Sequence, residues 1–298
     1  MPNLTLRYRI IKGIFLHYYD YLIYYRDTVF VSNHGINLLR IEVETLTPTI
    51  PIHKKIVDVW SYILNNEEMY RSDNSKRRYF FSTSLMDNKL ISNAEEFEKI
   101  YELFKRRLEV LMEKEKHLLS FQDIDLVCIP VLSSKDFYLL VLNLNDVSLI
   151  LMDNKCKNID DYEKVPYIIL FGKYLNSFKH KNAKEIYKVE PKKADFKWST
   201  EKNHTDSGVF LMCHMDTYMG ENIKEYHCGI FAECSGQVNQ LKVLRRKYAT
   251  RILLSELNLK KEEILIEANR FHCLRKEEKN NILDYAIKNW NNRGLKMY

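Results

Sequence analysis

The sequence is poor in the residues that build nucleotide loops and fibrous chains. Its 298 residues hold only eight glycines and six prolines. Collagen-like and low-complexity architectures are excluded at that level. No G-x-G-x-x-G or G-x-x-x-x-G-K string occurs, so the glycine-rich cradles that bind phosphates are missing. The six cysteines, at 128, 156, 213, 228, 234 and 273, form no C-x-x-C pair. They lack the regular spacing of a small secreted disulfide scaffold. No apolar run reaches the ~18 residues that a membrane span requires, and no signal-peptide cleavage pattern follows the aromatic N-terminus. The expectation is a soluble, intracellular protein in a reducing compartment. Charge of one sign is also scarce: 46 Lys+Arg against 40 Asp+Glu give +6. That is a small excess for a dedicated nucleic-acid binder.

What is present is a foldable chain, with 46% hydrophobic residues and enough length for one sizeable domain. Residues 1–34 carry six of the 20 tyrosines without a clean period and read as an N-terminal arm. A body is expected over 35–275 and a tail over 276–298. Thr47-Pro48-Thr49-Ile50-Pro51 predicts a turn ahead of a helix over 54–66. Phe97, Ile100, Phe104, Leu108 and Leu111 predict a helix over 93–117, with Ser92-x-x-Glu95 as its capping box. Three β-rich segments follow, at 124–132, 137–144 and 147–152, broken by Ser133-Ser134-Lys135 and Asn145-Asp146. A further amphipathic stretch contains Tyr167, Phe171, Tyr174 and Phe178, and a strand is expected at 185–189. A loop from Trp198 to Asp206 leads to helices over 208–218, 238–257 and 261–271. Helices, then strands, then helices predict an α+β fold, with the sheet packed between the 93–117 and 208–218 helices. There is no internal repeat.

Chemistry concentrates at Thr205-Asp206-Ser207-Gly208-Val209-Phe210, where a small hydroxyl residue stands at the start of an apolar helix. Unpaired N–H groups and the positive end of the helix dipole at such a place stabilise an oxyanion or a thiolate. The plainer reading is that Asp206 or Ser207 only caps the helix. With Cys at 207, the string would be the D-C-G-V-F motif of the SUMO proteases, the ubiquitin-like-protein-specific cysteine peptidases. The continuation Cys213-His214-Met215-Asp216-Thr217-Tyr218-Met219-Gly220 resembles the plant type associated with Mutator-like transposons. Ile56–Trp60 with Leu64–Glu68, Asp123–Pro130 with Phe137-Tyr138-Leu139, Leu151–Asn154, and Gln240–Leu254 resemble further segments of that family in order.

The resemblance implies a papain-like or adenain-like cysteine-peptidase fold, no cofactor and no metal. Its implied partner is a ubiquitin-like modifier of the SUMO type or its conjugates, and the implied location is the nucleus. It places the nucleophile at Ser207 (Cys in the family), the base at Asp136 (His in the family) and the orienting acid at Asp153, seventeen residues later. The oxyanion Gln position is Glu201, six before the nucleophile, a place already variable among the plant relatives. Phe137 and Trp198 fall where a substrate groove is expected. A Ser hydroxyl needs a strong base, and an Asp that titrates near ~4 is a feeble one. Asp136 would also be a like charge beside Asp153. Loss of nucleophile and base together costs on the order of 10⁶ in rate. The expected state is a protease fold without proteolysis, able to bind. An active cysteine peptidase whose nucleophile has been exchanged for Ser207 stays open as the alternative.

Three other constellations compete. His204 or His214 could serve Ser207 as a base, although His204 belongs to the nucleophile's own loop and His214 lies about 10 Å along the helix. Cys213, His214, His227, Cys228 and Cys234 crowd together, but with none of the pair spacings of a zinc site. Lys242, Arg245, Arg246, Lys247 and Arg251 alternate with Leu241, Leu244 and Tyr248, which predicts a solvated helix face more than a nucleic-acid surface.

Overall fold

The computed structural model describes residues 27–72, 74–86, 97–155, 166–278 and 281. The Tyr8–Tyr25 segment, the Ser92–Glu95 capping box, Cys156 and nearly all of the 276–298 tail lie outside the described residues. The chain divides into two compact units, residues 1–59 with 241–298, and residues 60–240.

In the first unit, β1 (Thr28–Val31) pairs antiparallel with β2 (Asn37–Leu39). The strand β1 falls inside the stretch whose sequence reads as an arm. Asn258 explains its place: its side chain donates to the Val29 carbonyl at 3.1 Å and accepts from the Val31 N–H at 3.1 Å. The short helix α1 (Arg40–Glu44) follows, and Arg40 pairs with Glu267 at 3.0 Å. Glu267 belongs to α8 (Lys261–Cys273). Arg245 corrects the expectation of a solvated basic face. It is 1% exposed, and its guanidinium donates to the carbonyls of Thr45 and Thr47, each at 2.9 Å. Lys242, Arg246 and Lys247 do face solvent.

The division between units falls within α2 (Lys54–Glu68) and α7 (Ser235–Leu253). The second unit is built on a five-stranded sheet of order β3-β4-β5-β6-β7. These strands are Arg78–Phe80, Leu126–Ser133, Asp136–Asn143, Ser148–Met152 and Pro191–Lys193. The two outer pairs are parallel, and β4-β5-β6 is an antiparallel meander. Nearly unbroken apolar runs in β4 and β5 predict strands covered on both faces, and both are buried almost throughout. Val127, Ile129 and Val131 join Tyr138, Leu140 and Leu142 in one cluster with Tyr101, Phe104 and Leu108 of α3 (Phe97–Leu111). Phe171 and Tyr174 of α4 (Pro166–Ser177) complete it. Strand alternation sends Phe137, Leu139 and Val141 to the opposite face, and α6 (Ser207–Thr217) packs against β5.

The strand expected at 185–189 is not there. The one-turn helix α5 (Ala183–Ile186) occupies that place, and the strand lies further on as β7. Ile186 is buried from this helical turn, so the apolar–polar alternation of Glu185–Val189 served a helix rather than a ladder. α6 is buried on all sides from Ser207 to Met215, as an apolar helix without a polar face must be. Two long-range contacts fix its position. Trp60 Nε1 donates to the Met212 carbonyl at 3.3 Å. Arg78, 2% exposed, donates to the carbonyls of Met215 and Tyr218 at 2.9 Å each, while Glu68 accepts from its Nη2 at 2.7 Å. A cation at the C-terminal end of a helix also meets its dipole favourably.

Candidate active site

Ser207 is the first residue of α6 and is 4% exposed. Asp206 stands at the cap position at φ −104°, ψ 10°, without a side-chain capping bond. The carbonyl of Asp206 accepts from Val209 and Phe210, at 2.8 and 3.0 Å. Its carboxylate accepts instead from Asn203 Nδ2 at 2.7 Å. The capping reading of Asp206 therefore holds for its backbone alone. Asn203 organises the loop before the helix: its Oδ1 accepts from the N–H groups of Thr205 at 3.1 Å and Asp206 at 3.0 Å. Its own N–H donates to Thr200 Oγ1 at 3.2 Å.

A continuous hydrogen-bonded path joins this loop to the end of β6. Thr200 N–H donates to the Asn154 carbonyl at 2.7 Å. Asp153, the neighbour of Asn154, is 2% exposed, and its Oδ1 accepts from the Lys155 N–H at 3.0 Å. Lys155 Nζ in turn reaches Asp136 Oδ2 at 2.6 Å, with the Lys and Asp side chains 16% and 19% exposed. Lys155 thus touches both carboxylates, Asp153 through its backbone N–H and Asp136 through its ammonium. The sequence predicts Asp136 as a like charge beside Asp153; an ammonium stands on Asp136. Nothing in the motif pattern pointed to Lys155, although a lysine two positions beyond an orienting acid is the kind of neighbour that could have been asked for.

Glu201 is exposed on the same loop. The loop is clamped from the other side by Glu233, whose carboxylate accepts from the Thr200 hydroxyl and from the Lys202 N–H. The hydroxyl bond holds the Glu233 carboxyl below its usual range. Phe137 and Trp198 are 3% and 2% exposed. Trp198 stacks on Phe196 with ring centroids 4.4 Å apart and meets His227 at 5.3 Å. Its carbonyl accepts from Gln237 Nε2 at 2.8 Å. Both rings are packed wall rather than surface, so the groove lining expected of them is not displayed.

Burial argues against His214 as the competing base. His204 is exposed on the loop. His214 is 1% exposed, stacked 5.0 Å from Phe196, with Nδ1 3.0 Å from the Tyr226 hydroxyl. Burial pushes its pKa down to about 3, which leaves a neutral ring with little appetite for a proton. Among the described residues, no three of His, Cys, Asp and Glu converge as a metal site, and no helix is long and apolar enough to cross a membrane.

No family model and no curated protein matches this chain. Solved structures do. A SUMO protease Ulp1 whose catalytic cysteine is oxidised to a sulfenic acid matches with a TM-score of 0.56 and 13% identity, over 87% of this chain and 98% of that one. The C-terminal Ulp1 protease domain in complex with Smt3, the yeast ortholog of SUMO, gives 0.55 and 13%, over 86% and 97%. The Chaetomium thermophilum Ulp1-like SUMO protease catalytic domain gives 0.51 and 15%, over 87% and 94%. At such identities the likeness is one of fold, and the chain has the α+β, papain-like fold of the Ulp1-type proteases.

Proposed function

We propose that this chain is a ubiquitin-like-protease domain that binds a SUMO-type modifier or its conjugates without hydrolysing them. The observation that carries the reading is the ion pair at the base position. Asp136 is held at 2.6 Å by the Lys155 ammonium, and a carboxylate engaged in an ion pair is a poor acceptor for an alcohol proton. Ser207 stands at the helix start, where a thiolate would be stabilised and a hydroxyl needs a strong base to react. Glu201 offers the oxyanion a negative charge where the family's Gln would donate a hydrogen bond. The modifier is inferred from the fold neighbours, one of which is complexed with Smt3. A domain spanning 35–275, an origin in a plant Mutator-like transposon and a nuclear location belong to the same proposal, on the motif resemblance.

Two measurements test it. The purified chain is incubated with SUMO- and ubiquitin-type precursors and conjugates, and binding is followed separately by titration. Binding without cleavage is expected. Cleavage by the unmodified chain would sink the inactive reading, and failure to bind any modifier would remove the partner. The alternative, a cysteine peptidase whose nucleophile alone was exchanged, predicts that Ser207→Cys suffices to restore cleavage.

A further inference from the structure

The chain's charge is small in sum and uneven in distribution. Residues 173–202 hold nine lysines against four carboxylates, which is +5 of the total +6. Lys173 is engaged, paired with Glu98 at 2.5 Å and set over the Tyr101 ring at 4.2 Å. Lys179, Lys181, Lys184, Lys188, Lys192 and Lys197 are different. All six are exposed, and none forms an ion pair among the described residues.

Local structure holds these side chains outward. α4 ends in a corner where the Lys179 N–H donates to the Asn176 carbonyl and the His180 N–H to the Leu175 carbonyl, each at 3.0 Å. Lys179 takes φ 54° there, a left-handed position that glycine occupies at lower cost. A lysine therefore stands where the backbone favours a residue without a side chain. Phe178 precedes it, 38% exposed, with its ring centroid 5.1 Å from that of Tyr174. In the next turn the Ile186 N–H donates to the Asn182 carbonyl at 3.0 Å, and Ala183 and Ile186 are buried. Lys184 and Lys188, four residues apart, face away from that buried pair and are separated by about 6 Å along the turn. Lys192 follows in β7, an edge strand of the sheet.

We propose that Phe178, Lys179, Lys181, Lys184, Lys188 and Lys192 form a binding face for single-stranded nucleic acid, without preference for base sequence. The ammonium groups neutralise phosphates along the strand and release their counterions. The exposed Phe178 ring offers one base a stacking platform, which every base can use. A duplex is the poorer fit: its bases are already stacked on one another, and α5 is too short to serve as a reading helix in the major groove. An acidic protein is a poorer fit too. Lysine is depleted at the centres of protein interfaces, and this face has a single exposed aromatic ring. The face lies wholly in the second unit, and the inference is independent of whether the Ser207 site is catalytic.

The test uses the full chain and a fluorescently labelled oligothymidylate, with binding followed by anisotropy from low to physiological salt. Affinity should fall with salt with a log–log slope of about −3.5, if five lysines each meet one phosphate. The triple variant Lys181→Gln, Lys184→Gln, Lys188→Gln should bring the slope to about −1.4. Phe178→Ala should keep the slope and weaken binding by at least about fivefold. Removing as much charge from α7, with Lys242→Gln, Arg246→Gln and Lys247→Gln, should leave the parent slope. All these positions are exposed, so each variant should melt with the parent. No binding at low salt, an equal loss in the α7 variant, unchanged affinity after Phe178→Ala, or tighter binding of a duplex would each overturn the proposal. Equal affinity for a polyglutamate peptide would assign the face to an acidic protein and overturn it as well.

Discussion

Lys155 changes what rebuilding the catalytic residues should achieve. Asp136→His with Ser207→Cys supplies a nucleophile and a base, and Asp153 remains to orient the imidazole. The new imidazole, however, would stand where Lys155 Nζ now lies 2.6 Å from a carboxylate oxygen. With the carboxylate gone, that ammonium is an unpaired like charge about 4 Å from the ring. Between water and a protein-surface dielectric this repulsion is about 1–4 kcal/mol, or roughly one to three pKa units off the imidazolium. A thiolate paired with imidazolium is the reactive form, so Lys155 should suppress it by about tenfold or more. The assay is labelling by a ubiquitin-like probe with a C-terminal electrophile at pH 7. Neither single mutant should label, because nucleophile and base act as a unit. The double mutant should label slowly, and adding Lys155→Gln should accelerate it by about tenfold or more. Equal rates with and without Lys155→Gln would refute the placement of Lys155 at the base position. No labelling of any folded combination, even with Glu201→Gln, would mean that the site is not this one.

Arg78→Ala should destabilise the protein by about 2–4 kcal/mol in denaturant titration, since it leaves two carbonyls at the end of α6 without their donor and the nearly buried Glu68 carboxylate with Arg71 as its remaining cation; a loss below ~1 kcal/mol would show that Arg78 does not anchor the helix. His214, with a folded pKa of about 3 against an ordinary 6.5, is protonated only in the unfolded chain between those values. Its contribution is complete above pH 6.5 and falls by about 1.4 kcal/mol per unit as pH drops, roughly 2 kcal/mol by pH 5. Glu44 acts in the opposite sense: burial raises its pKa from 4.5 to about 7, so its contribution is complete below pH 4.5 and is lost as pH rises through 7. His214→Phe should flatten the acid limb of the stability profile and Glu44→Gln the limb from pH 5 to 7, and an unchanged slope in either variant would contradict its assignment. Gly220→Ala should cost about 1–3 kcal/mol, because φ is 81° and the added Cβ would stand 2.8 Å from Leu126 Cδ1; a neutral change would show that this turn relaxes.

The elements legible in the sequence were those whose signal is local. Strands β4, β5 and β6 announce themselves as apolar runs cut by Ser133–Lys135 and by Asn145-Asp146. At the second break, Asn143 Oδ1 accepts from the N–H groups of Asn145 and Asp146 at 3.1 and 3.0 Å, a turn written in its own residues. β7 gave no such signal. Pro191-Lys192-Lys193 has little strand propensity and joins the sheet through its backbone beside β6. Arg245 was unreadable for a different reason: the carbonyls that satisfy it lie about 200 residues away, and no periodicity reports on them. Burial of a cation depends on partners, and partners are tertiary facts.

The same division explains the candidate site. The loop that presents Ser207 is held by Asn203, Thr200 and Asn154, and none of these bonds involves the nucleophile, the base or the oxyanion position. Substitution at 207, 136 and 201 therefore leaves the support of the helix start untouched, so loss of chemistry does not entail loss of shape. Lys155 takes this further. On the proposed placement Asp136 would be a like charge beside the buried Asp153, and the 2.6 Å ion pair with Lys155 would offset that repulsion. On this reasoning, Lys155→Ala in the parent chain should cost more than the ~1 kcal/mol of an exposed ion pair, and Asp136→Asn should recover part of the loss. A double-mutant cycle at these two positions measures the coupling directly. A coupling energy near zero would mean that the pair is incidental and that some other contact balances the carboxylate.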